Sequence, residues 1–77
     1  MLEFVADRMA YWFGLRNTLF GFESGRKWFD ENTPRFELIS KICEEKHFNS
    51  FEEYSEWERG HIAERNEIFT KAGVKLG

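Results

Sequence analysis

From residue 51 onward the apolar positions recur at helical spacing. Stepped at about 100° per residue, Phe51, Tyr54, Ile62, Ile68, Phe69 and Ala72 gather on one side. Glu52, Glu53, Glu56, Gly60, Ala63, Glu67 and Thr70 take the opposite side. Ser50-Phe51-Glu52-Glu53 matches a capping box, in which the Ser and Glu side chains satisfy backbone N–H groups at a helix start. Ala72-Gly73-Val74 reads as the stop, with Gly73 left-handed. The pattern predicts one helix over 51–72. Gly60 lies inside it, costs about 1 kcal/mol relative to Ala, and marks a bend or the close approach of another chain. Upstream, Phe36, Ile39, Ile42 and Cys43 share a face. Asn32-Thr33-Pro34 ahead of them reads as a helix start, with Thr33 as N-cap and Pro34 in the first turn. That predicts a second helix over 34–46, with His47-Phe48-Asn49 as a turn.

The first segment, from Leu2 to Phe13 or Phe20, is helical by the same criterion, although Gly14 weakens its middle. It carries two apolar stripes roughly 120° apart by helical geometry. One holds Leu2, Val5, Met9, Trp12, Phe13, Leu19 and Phe20; the other holds Phe4, Tyr11, Leu15 and Phe22. Two following helices cover one of these stripes well, so the second calls for a homodimer or another protein. The alternative is that the segment 21–32 folds back, with Trp28 and Phe29 capping the face. Gly21, Gly25 and Glu23-Ser24-Gly25-Arg26 predict an irregular Gly-containing stretch there, or a short hairpin pairing Leu19–Phe22 with Arg26–Phe29. The expected architecture is a mostly α, single three-helix domain over 1–77 with an irregular middle.

Composition sharpens the question of what covers the rings. Nine Phe, three Trp and two Tyr make 18% of a 77-residue chain aromatic. Each ring can bury about 150–250 Å², and so short a chain has little interior. Charge narrows the partners. The formal charge is −3, and residues 36–60 hold seven acids against three bases. That argues against nucleic acid held by general electrostatics. A helix–turn–helix over 34–59 fails for the same reason, since it would turn Glu52, Glu53, Glu56 and Glu58 toward phosphates. No run approaches the roughly 18 apolar residues that cross a bilayer. Met1-Leu2-Glu3 lacks a basic leader, and Asp7 and Arg8 interrupt the apolar run. With the lone Cys43, this predicts a cytoplasmic protein without membrane contact.

Candidate chemistry is sparse. Glu44-x-x-His47 and Glu58-x-x-His61 resemble halves of a di-iron ligand set, but two further acidic helices would be needed. Cys43 and His47 supply two of the four ligands a zinc site requires. Cys43 falls on an apolar face with no orienting group for nucleophilic catalysis. No phosphate-binding glycine motif is present. The expectation is therefore a non-enzyme without metal or cofactor. It is a small binding or regulatory protein of inhibitor or modulator type, a profile common among proteins of phages and mobile elements. Its contact or dimer face would be Phe4, Tyr11, Leu15 and Phe22. One anomaly supports an alternative: Glu58, His61 and Arg65 interrupt the apolar stripe of the last helix. They either pair at the core edge or face a ligand. With Arg16 they would hold a small anion such as a nucleotide, and Trp12 or Trp57 would stack on it.

Overall fold

A single residue turns the chain between its first two helices. The computed structural model describes residues 1–75. In it, α1 spans Glu3–Phe20 and α2 spans Phe22–Lys46. Gly21 between them has φ 91° and ψ 166°, a combination essentially closed to residues bearing a Cβ. Its N–H donates to the Asn17 carbonyl at 3.1 Å, so α1 is closed before the reversal. The helices then run antiparallel in one register. The Leu2 N–H donates to Ser40 Oγ at 2.7 Å, the Phe13 ring packs on Phe29 at 4.9 Å, and Gly25 lies against Asn17.

The expectation of a mostly α chain holds, but the three-helix count and the irregular middle do not. Four helices form among the described residues, and no strand does. Residues 22–32 are the first half of α2, so neither the loop nor the hairpin at 19–29 exists. The fold-back of Trp28 and Phe29 onto α1 does occur, as helix. Gly25 is not a turn residue; it permits a close approach. A Cβ there would lie 1.6 Å from Asn17 Oδ1 and 3.2 Å from the Asn17 backbone nitrogen. Pro34 lies inside α2, although it removes a donor and crowds the preceding turn. The carbonyls just ahead of it gain side-chain donors: Asn32 Nδ2 reaches Trp28 O at 2.9 Å and Thr33 Oγ1 reaches Phe29 O at 2.7 Å. Thr33, expected as an N-cap acceptor, is thus a donor to the previous turn.

The end of α2 and the start of α3 follow the expectation. His47 adopts φ 59° and ψ 38°, and the Phe48 N–H closes on the Cys43 carbonyl at 2.9 Å. α3 spans Phe51–Gly60. Ser50 Oγ accepts from the Glu53 N–H at 3.2 Å, while the Glu53 carboxylate accepts from the Asn49 N–H. The return bond of the capping box therefore reaches one residue further back than the usual form. Glu52 stands below the usual carboxylate range, held by a backbone N–H of this first turn and by Arg8 at 2.6 Å.

The helix expected over 51–72 is two helices. α4 spans Ile62–Lys71, and His61 between them has φ −137° and ψ 43°. The His61 N–H turns to the Glu58 carbonyl at 3.2 Å. Its own ring Nδ1 lies 2.9 Å from the Trp57 carbonyl, so the imidazole donates where its backbone would have done in a continuous helix. The break makes α4 a separate helix, buried toward its far end and open at its start. Ile62, on the apolar stripe of the uninterrupted helix, is exposed, and Phe69 is fully buried. Gly73 adopts φ 73°, and the Val74 N–H closes on Phe69 O at 3.0 Å, as the stop signal predicts.

The core draws on all four helices: Val5 and Met9 of α1, Phe36, Ile39, Ile42 and Cys43 of α2, Tyr54 of α3 and Phe69 of α4. Among the described residues no helix is long and apolar enough to cross a membrane. The glycines provide a test of the α1–α2 contact. Gly14 has nothing within 4 Å of its missing Cβ, so Gly14→Ala should gain about 0.5–1 kcal/mol from helix propensity. Gly25→Ala should lose about 1–3 kcal/mol through overpacking. Urea denaturation of both variants reads the two signs; a Gly25→Ala protein as stable as Gly14→Ala would mean the helices have room to separate.

Candidate functional site

The side chains that the core leaves out are concentrated where α1 turns into α2. Among the described residues seven large apolar side chains are exposed, and five of them fall between positions 11 and 22. Tyr11 shows 62% of its surface, Trp12 44%, Leu19 63%, Phe20 61% and Phe22 68%. The cause is geometric. The antiparallel register places the core beside Val5, Met9, Phe36 and Ile39. The far end of the α1–α2 hairpin extends beyond the reach of α3 and α4, so its rings have no third layer to cover them.

Three adjoining depressions open on one side of this hairpin, and Trp28 lines all of them. One, of about 370 Å³, runs toward the tip between Trp12, Leu15, Arg16, Leu19 and Phe20. A second, of about 270 Å³, continues the other way past Trp12 and Arg35 to Phe51, Tyr54 and Glu58. The third, of about 380 Å³, is polar and is bordered by Arg16, Glu31, Asn32, Arg35 and Lys75. Together they make a groove with an apolar floor and a cationic rim. The Arg16 guanidinium lies over the Phe20 ring at 5.3 Å. Arg8, Lys46, Arg65 and Lys71 each have a carboxylate partner, whereas among the described residues Arg16 and Arg35 have none.

The residues expected at a contact face divide. Tyr11 and Phe22 are exposed, Leu15 is half-buried on the groove wall, and Phe4 packs against the core. Phe22 faces a separate depression with Phe13, Arg26 and Phe29. The residues expected around an anion are spread over several settings. Trp12 and Arg16 stand together in the groove. Glu58 and Arg65 meet at 3.7 Å, and Glu58 also accepts from the Tyr54 hydroxyl at 2.7 Å. Arg65 lies over Phe69, and its Nε is buried without a partner. His61 stacks on Trp57 at 5.4 Å, with 12° between the rings. Neither His61 nor Arg65 lines any of the three depressions of the groove.

Of the two residues central to the groove, Trp28 was legible only as a cap folded back over the first helix, and Arg35 did not stand out in the sequence. They are seven apart on one face of α2, but Trp28 read as loop and Arg35 as the first turn of a later helix. Once Pro34 is allowed inside a helix, their spacing becomes a signal. The remaining nucleophile is hidden: burial, and then the charge of Glu53, push the Cys43 thiol up to about 11. The chain matches no protein-family model, no curated protein and no solved structure, and its function has to be read from this geometry.

Proposed function

We propose that this chain is a small protein-binding regulator, of inhibitor or modulator type, that acts without catalysis. Its contact surface is the end of the α1–α2 hairpin: Tyr11, Trp12, Leu15, Leu19, Phe20 and Phe22. The observation that carries the reading is the concentration of exposed rings and aliphatic side chains over one short stretch of a chain whose core is otherwise assembled from all four helices. Aromatic residues dominate protein interfaces, because they offer large rigid area at small entropic cost. The occupant of this surface is a second copy of the chain or a different protein. Support for a non-catalytic role comes from two of the reactive groups: Cys43 is buried, and Nδ1 of His61 is engaged by the Trp57 carbonyl.

Photo-crosslinking in cells tests the surface. A crosslinker at Leu19 should give discrete adducts, either a dimer of the chain or one with a second protein. The same group at exposed Glu67 of α4 should not. Tyr11→Ala combined with Leu15→Arg should abolish the Leu19 adducts while circular dichroism stays unchanged. Identical diffuse labelling at both positions, with a monomer by sedimentation at low micromolar concentration, would refute the proposal.

A further inference from the structure

We infer that the groove around Trp28 receives an amphipathic helical segment of a partner protein, one whose apolar side chains are flanked by carboxylates. The inference rests on the protein-binding reading above and names the class of partner. Shape favours a helix over a small molecule. Trp12, Leu15, Arg16 and Leu19 line one side of α1, and Trp12 to Leu19 covers about 10 Å at 1.5 Å per residue. That is two helical turns, the span of i, i+4 and i+7 anchors on a docked helix. A small ligand is normally buried over most of its surface. Here the rim residues Leu19 and Phe20 stand largely in water, and an elongated occupant covers them together.

Charge selects the kind of helix. Arg16, Arg35 and Lys75 border the groove against one rim carboxylate, Glu31. Glu58, at the end of the groove away from the tip, is already engaged by Tyr54 and Arg65. Carboxylates beside the apolar anchors of an incoming helix would find Arg16 and Arg35 without partners of their own among the described residues. The same charges disfavour a second copy in this groove. A two-fold contact places a patch against itself, so the three cations Arg16, Arg35 and Lys75 would meet a patch whose rim offers one carboxylate, Glu31.

The test uses two synthetic helical peptides with Leu at i, i+4 and i+7, identical except that one carries Glu and the other Lys beside the anchors. Binding is followed by the indole N–H resonances of the full chain. The Glu peptide should bind at least roughly tenfold more tightly and weaken with added salt. It should shift Trp12 and Trp28 but not Trp57. Arg16→Glu with Arg35→Glu, checked for fold by circular dichroism, should reverse the preference. Equal binding of both peptides, abolished by Leu19→Glu, overturns the charge inference and leaves the apolar contact surface standing. No shift with either peptide while the Leu19 crosslinks persist also overturns it. Displacement of the Glu peptide by adenosine monophosphate or inorganic phosphate, with shifts at the same two indoles, assigns the groove to small anions instead.

Discussion

Phe69→Ala is expected to detach α4 from the rest of the molecule. Phe69 is the buried residue of α4, and the helix is ten residues long, too short to persist alone in water. Removing a fully buried Phe costs about 3–5 kcal/mol, a large part of the roughly 5–15 kcal/mol that holds an ordinary domain together. Besides Phe69, α4 is tied by the half-exposed Lys46–Glu64 pair at 3.3 Å, worth about 1 kcal/mol at most, by the Arg65–Glu58 pair at 3.7 Å and by partly buried Ile68. Amide exchange should show residues 62–71 losing protection, and the urea midpoint should fall. Ile62→Ala is the control. Ile62 and Phe69 are seven apart and share one face of α4, but Ile62 stands at the first position of the helix and Phe69 near its other end. Ile62 is exposed, and its loss should stay within about 0.5 kcal/mol. Equal damage from the two variants would mean that the first turn of α4 is also packed against the core in solution.

Alkaline pH should be the second point of weakness. Burial and then Glu53 hold the Cys43 thiol at about 11. Burial, followed by the hydrogen bond and charge of Glu58, raises the Tyr54 phenol well above its ordinary value. Unfolded, these groups titrate near about 8.5 and 10. Both native shifts favour the protonated form, so their contribution to stability is complete below the unfolded values and is lost as pH rises toward the folded ones. Between about pH 9 and 11 the Cys43 share amounts to about 2–3 kcal/mol. Urea midpoints at pH 7.5 and 10.5 should differ by that order, and the difference should shrink in Cys43→Ala. At pH 8 about one thiol in a thousand is ionised in the native protein. Iodoacetamide should therefore label Cys43 only through opening, at a rate that rises with urea. A flat stability profile to pH 10.5, or immediate stoichiometric labelling, would contradict this account of the site.

Local signals were legible where the structure depends on neighbours in the chain. Ser50 caps α3, α2 stops at Lys46, and Gly73 ends the last helix, because each depends on hydrogen bonds reaching three to five residues. The apolar surplus of the first segment was also legible, and Tyr11 and Phe22 do stand exposed. Phe4 did not follow them, since Leu2 is tied to Ser40 and draws the start of α1 onto the core. Within the candidate groove, Trp12, Leu15 and Arg16 could be named from the sequence as contact or ligand residues, whereas Trp28 could be named only as a cap over the first helix and Arg35 not at all. Those two reach it only because α2 folds back along α1.

The sequence by itself determined the helical character of the chain, the caps and stops, and an excess of apolar surface near residues 11–22. These are properties of spacing and composition. Tertiary structure decided the rest. Gly21 turns the chain in one residue and sets the antiparallel register, and that register makes Gly25 a contact instead of a loop. It also carries α2 through Pro34 and brings Trp28 and Arg35 beside Trp12 and Arg16. The chain also breaks at His61, and along one face of α4 Phe69 is buried while Ile62 stays outside. A close approach or a helix break depends on what lies across the contact, and no pattern within ten residues of chain holds that information.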